Sequence, residues 1–149
     1  MALADLLTAN ELELAEHYPN RAEHLADRIV HAVGIVAALV GGGLLVAVAL
    51  TYRGVPMATA SAIYALCLMA MLAASAVYNF SKPNAARRIL RRIDEAAIFL
   101  MIAGSYTPFT IELLAPELAP WITLAIWAAA LAGAAAKVFW TGLSDRAWC

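Results

Sequence analysis

Charge is what this sequence has least of. Of its 149 residues only 14% are Asp, Glu, Lys or Arg, whereas 64% are hydrophobic, and the mean hydropathy is +0.76. A soluble domain is closer to half apolar and a quarter charged. One small core cannot hide this excess, so lipid is the natural solvent. Cysteine is nearly missing as well. Cys67 lies inside an apolar run, where it reads as a small hydrophobe, and Cys149 is the last residue. No C-x-x-C pattern exists, which argues against a thiolate metal or redox motif, and no disulfide between the two is expected. The opening "MALADLLTANELELAEHYPN" is acidic and lacks a basic stretch before an apolar core. It is therefore not a secretory signal peptide, and it reads as a partly ordered arm with a short amphipathic helix on the membrane surface.

What is present is long apolar runs. A spanning helix needs about 20 mostly apolar residues, and four stretches qualify: 29–50, 55–80, 93–114 and 118–140. The expected fold is an all-α integral membrane protein with four transmembrane helices, antiparallel because the connections are short. The organisation follows: a cytoplasmic arm over 1–28, a membrane domain over 29–140 and a cytoplasmic tail over 141–149. Lys and Arg near span ends set orientation. Arg21, Arg28, Lys82, Arg87, Arg88, Arg91, Arg92, Lys137 and Arg146 fall on one side, and Arg53 alone falls on the other. Both termini and the second loop are expected in the cytoplasm, in a bacterial inner or plasma membrane. The expected partners are the bilayer and a second copy of the chain, with no nucleic acid.

Small residues crowd the spans at Gly41 to Gly43, at Ala73 to Ser75 and through Ala128 to Ala136. Helices in lipid approach closely through such faces, because apolar burial no longer drives association. Trp121, Trp127, Trp140, Trp148 and Tyr52 mostly fall near the expected interfaces, as aromatic belts do. Pro108 lies late in the third span. Its freed carbonyl must be satisfied from within the protein, with Ser105 and Thr107 near enough to help, and a kink is expected there.

Ionisable residues in or near a span are costly and mark sites. Glu23, Asp27 and His31 are spaced i, i+4, i+8 and share a helix face. Ser75 and Asn79 repeat the i, i+4 spacing at the end of the second span, and Asp94 and Glu95 open the third. In an antiparallel bundle these ends converge, and imidazole and carboxylate are the usual ligands of a divalent metal. Blander readings stand beside this one. Asp94 and Glu95 fit the first turn of a helix, where acids suit the macrodipole, or pair with Arg91 or Arg92. His31 can be an interface histidine, and Ser75 a hydroxyl bonded to its own helix. Spacing alone does not name a reaction.

Four segments together resemble a known family. "RRIDEAAIFLMIAGSYTPF" resembles the third-helix signature of the haemolysin III family, R-x-D-H-x-x-I-x-x-x-I-A-G-[ST]-Y-T-P-F. "SAVYN" resembles its S-x-x-Y-H element, "EHLADRIVHAVG" its first helix, and "AIWAAALAGAAAKVFW" its fourth. The match runs in order from about Arg21 to Trp140. The family shares a superfamily with the progestin and adipoQ receptors and the alkaline ceramidases. The resemblance implies seven helices and a zinc-dependent hydrolase site near the cytoplasmic side. Zinc there is held by a His ending the second helix and by two His of an H-x-x-x-H in the seventh. By the same resemblance Ser75 takes the place of the nearby serine and Asp94 holds the metal-bound water. His31 matches the first-helix histidine.

This chain departs from that pattern. Asn79 stands at the second-helix His-ligand position, and Glu95 where His is usual. The candidate metal set is therefore His31, Asp94 and Glu95 around Asn79. The chain is expected to be truncated after the fourth helix, or to be a shortened form that works by association. Four functions follow: a cytolytic, pore-associated membrane protein; a zinc-dependent hydrolase of lipid amides or esters; a non-catalytic scaffold or remnant; and a four-helix drug exporter. An exporter needs a carboxylate within a span, and the acids here lie at span ends.

Overall fold

Long apolar runs broken by short Gly- and Pro-bearing turns become long helices joined by tight connections. The computed structural model of the chain describes residues 21–81 and 85–139, the side chains of 21–24 and 85 excepted. Residues 1–20 of the expected arm, the tail, Lys82, Trp140 and Trp148 lie outside the described residues, as do the side chains of Arg21, Glu23 and His24. Four helices follow one another: α1 (Arg21–Tyr52), α2 (Val55–Phe80), α3 (Ala85–Leu113) and α4 (Ala119–Phe139). All four are long and apolar enough to cross a membrane.

Between α1 and α2 only Arg53 and Gly54 intervene. Gly54 has φ +83°, a conformation that other residues enter with strain. Pro56 then stands in the first turn of α2, where its missing N–H is not needed. Side-chain contacts establish the alternation of direction. At one end Arg53, just past α1, meets Glu112 of α3 at 2.7 Å, and Thr110 of α3 meets Thr123 of α4 at 2.6 Å. At the other end His31 meets Ser75 and Glu95 meets Lys137.

Among the described residues the helices pack as a row: α1 on α2, α2 on α3, α3 on α4, with no backbone packing of α1 on α3 or α4. The interior is small and the exterior large. The buried hydrophobic residues are ten alanines, while Val33, Leu39, Leu66, Leu113 and Leu131 face outward. That is the order expected in lipid, where large side chains gain nothing by turning inward. Close approach is built on particular small residues. A Cβ on Gly104 would lie 2.7 Å from Sγ of Cys67, and one on Gly133 would lie 2.6 Å from the Phe99 ring. Of the glycine triplet only Gly42 packs, against Ala65, and Gly41 and Gly43 have nothing near them.

Two local expectations are corrected. α3 starts at Ala85, so Asp94 and Glu95 lie well inside it, and its first turn holds no acid. The macrodipole reading of these acids therefore fails. The apolar run marks where lipid begins, while Ala, Arg and Leu over 85–92 are good helix formers that carry the helix further back. Trp127, expected near an interface, turns inward to a neighbouring helix: its Nε1 donates to Thr107 Oγ1 at 3.1 Å. Around Pro108 the helix continues to Leu113. Hydroxyls of Ser105, Thr107 and Thr110 bond the carbonyls of Ile102, Ala103 and Thr107, on either side of the one that proline leaves.

Candidate functional site

Helical spacing places Asp27 one turn before His31, and Ser75 one turn before Asn79. The crossing of α1 on α2 brings the two pairs together. His31 Nδ1 lies 2.9 Å from the Asp27 carbonyl oxygen and 3.3 Å from its Oδ1. Both are acceptors, so Nδ1 carries the proton and the Nε2 lone pair points onward. There Nε2 meets Ser75 Oγ at 3.2 Å and Asn79 Nδ2 at 3.3 Å. Asn79 Nδ2 is also 3.4 Å from Ser75 Oγ. Phe80 closes the side of the imidazole edge-on, with ring centroids 5.5 Å apart. From α3, Asp94 hydrogen-bonds Ser75 and lies within electrostatic reach of His31 and Glu95.

The resulting pattern is closed. His31 donates to Asp27, Asn79 donates toward His31 and Ser75, and the single Ser75 proton faces two acceptors, His31 Nε2 and Asp94. Three helices are thereby joined by one polar node, half-buried at one end of the row.

Glu95 does different work. Its Oε1 accepts from Arg91 Nε at 3.2 Å, and its Oε2 pairs with Lys137 Nζ of α4 at 2.9 Å. An arginine partner is thus found for Glu95, while the Asp94 partner is Ser75. Arg87 is buried with its guanidinium 5.3 Å over the Tyr78 ring, and Arg88 and Arg91 are exposed on the same end of α3 as Arg92. Of the sequence candidates, the structure gathers His31, Ser75, Asn79 and Asp94 and ties Glu95 to basic side chains.

Among the described residues the node by itself does not complete a zinc site. Structural zinc sites take four Cys, His or carboxylate ligands, and catalytic sites take three plus water. Among the described residues no group of three His, Cys, Asp or Glu is placed to hold a metal. Asn79 presents protons where a ligand lone pair would be needed.

Spacing did not reveal a second cluster. At the far end Trp127, Thr107, Thr110 and Thr123 link α3 to α4. Thr107 and Thr110, one turn apart around Pro108, were its only trace in the sequence. A cavity of about 560 Å³ opens nearby, lined by Leu45, Met57, Tyr64 and Met101 among others, with the Arg53–Glu112 pair at its edge. Its one carboxylate is therefore already held.

Four long lipid-compatible helices with an ionisable node at one end define a polytopic helical membrane protein. The Haemolysin-III related family matches residues 22–148, and the chain belongs to that family. Similar relatives include a "Hemolysin-3 homolog" of Bacillus subtilis (strain 168), 26% identical over 117 residues, 78% of this chain and 55% of the relative. "Hemolysin-3" of Bacillus cereus is 27% identical over 118 residues, 78% of this chain and 53% of the relative. The chain thus spans about half the length of the curated relatives it matches. No solved structure matches it.

Proposed function

We propose that the chain is a cytolysis-associated membrane protein that acts on the bilayer by assembling through the open edges of its helix row. The carrying observation is that row. Among the described residues α1 and α4 each pack on one neighbour, and in the most apolar stretch of α4 only 6% is buried, against 33% in α3. Most of the Ala128–Ala136 stretch of α4 is consequently exposed, and such small-residue faces associate in lipid. The name hemolysin-3, carried by the relatives, supports the same reading. The node end is the cytoplasmic one: Arg28, Arg87, Arg88, Arg91, Arg92 and Lys137 lie there, and Arg53 lies opposite.

Purified chain added to dye-loaded phosphatidylcholine–phosphatidylglycerol vesicles is expected to release dye with a steep dependence on protein concentration, alongside cross-linked oligomers. A monomeric protein that releases no dye sinks the proposal. A reporter fused to the N-terminus tests orientation, and an external reporter overturns it.

Hydrolysis of a lipid amide or ester is the second reading. It is supported by Ser75, His31 and Asp94 meeting at one end of the row. It calls for metal-activated water, for which the described donors are too few, so it ranks behind assembly and behind a purely scaffolding role.

A further inference from the structure

Three polar atoms of the node form a near-equilateral triangle. His31 Nε2 to Ser75 Oγ is 3.2 Å, Asn79 Nδ2 to His31 Nε2 is 3.3 Å, and Asn79 Nδ2 to Ser75 Oγ is 3.4 Å. Ligands about 2.0–2.1 Å from a tetrahedral zinc stand about 3.3–3.4 Å from one another. The triangle has the dimensions of one face of such a site, and Asp94 approaches it from α3. His31 is also oriented as a metal ligand would be. Its Nδ1–H is committed to Asp27, the outer contact that aims an imidazole at a metal.

The mismatch at the Asn79 corner is chemical. Nδ2 of Asn79 carries two protons and offers no lone pair to a cation. Those protons point at the Nε2 lone pair that a metal would use.

We infer that the Asn79 amide occupies a ligand corner without a ligand's lone pair, so that a metal-sized cluster with His31, Ser75 and Asp94 is closed by hydrogen bonds instead of by a cation. The node is then a metal-free cross-link of α1, α2 and α3. One substitution, Asn79→His, turns it into a site for zinc or cobalt(II), the cations that suit mixed imidazole and carboxylate donors. The substitution is nearly isosteric at the decisive atom, because Asn Nδ2 and His Nδ1 are both bonded to Cγ. The introduced nitrogen therefore falls on the same corner of the triangle, now with a lone pair. The inference stands on the node alone and is independent of membrane lysis.

The test uses the detergent-solubilised 149-residue chain, stripped of metal and titrated with cobalt(II), with helicity followed by circular dichroism. The wild type and Asn79→Ala are expected to take up essentially no cobalt. Asn79→His is expected to take up about one equivalent with tetrahedral-type visible absorption, displaced by zinc. Adding His31→Ala or Asp94→Ala to Asn79→His should weaken uptake by about tenfold or more. If Asn79→His loses its helices, Asn79→Asp replaces it, placing an acceptor oxygen at the same corner with the side-chain shape unchanged. Near-stoichiometric cobalt in the wild type overturns the inference. So does a helical Asn79→His or Asn79→Asp chain that binds none, and so does uptake by Asn79→His that survives both second substitutions.

Discussion

At one end of the helix row His31, Ser75, Asn79 and Asp94 pool ionisable and amide groups from three helices. At the other, Thr107, Thr110, Thr123 and Trp127 join two helices with neutral hydroxyls and an indole. Both ends satisfy polar atoms in a poorly solvated place, but by different means. The hydroxyls of Thr107, Thr110 and Thr123 fall back on carbonyls of their own helices, so losing one cross-helix partner strands little. The groups of the node bond mainly to one another, so losing one strands several. Polar chemistry at a helix crossing is thus expendable where each group has a local alternative, and binding where it has none.

The contrast can be broken at several points, and the largest effect should reach both ends at once. Gly104→Leu would force a side chain into Cys67, where even a Cβ comes within 2.7 Å. Overpacking of this kind destabilises by about 1–3 kcal/mol, occasionally more. A thermal melt in detergent should show it as a lowered Tm, and an unchanged Tm would mean that α2 and α3 do not approach so closely.

His31→Ala should come next. It leaves Ser75 and Asn79 without their shared partner, and stranding such groups costs about 1–3 kcal/mol. Thr123→Val at the neutral end should cost less, about 0.6 kcal/mol, the average measured for hydrogen bonds between membrane helices. If denaturant unfolding gave equal losses for these two variants, the distinction between the ends would collapse. The smallest effect belongs to Arg53→Ala. Its pair with Glu112 has side chains 61% and 38% exposed, and such pairs contribute about 0–1 kcal/mol. A loss larger than that of His31→Ala would place the weight of the fold at the wrong end.

How far the chain could be read without coordinates varies from feature to feature. The four spans were plain, because lipid demands an unbroken apolar run and tolerates few substitutes. Their helical starts were less plain. α3 reaches back to Ala85 through an arginine-rich segment, because hydropathy reports the solvent and helix propensity reports the backbone. Convergence of His31, Ser75, Asn79 and Asp94 at one end followed from antiparallel spans. The Asn79–His31 contact did not, since 48 residues separate the two and no local signal links them. Trp127 looked like an interfacial residue, and only its turn toward Thr107 makes it internal.

Composition settled the solvent, and the solvent settled the helices: backbone groups in hydrocarbon must bond within their own segment, whatever the neighbours are. The partners of each side chain were left to the packing. Each residue turns the helix by about 100°, so a small change in rotation exchanges the face that is buried for one that is not. In the glycine triplet Gly42 meets Ala65 while Gly41 and Gly43 meet nothing. By the same rule Asp94 reaches Ser75 while its neighbour Glu95 reaches Arg91 and Lys137. Identical or adjacent residues acquire opposite roles there because rotation and crossing belong to the assembled helices rather than to any one segment.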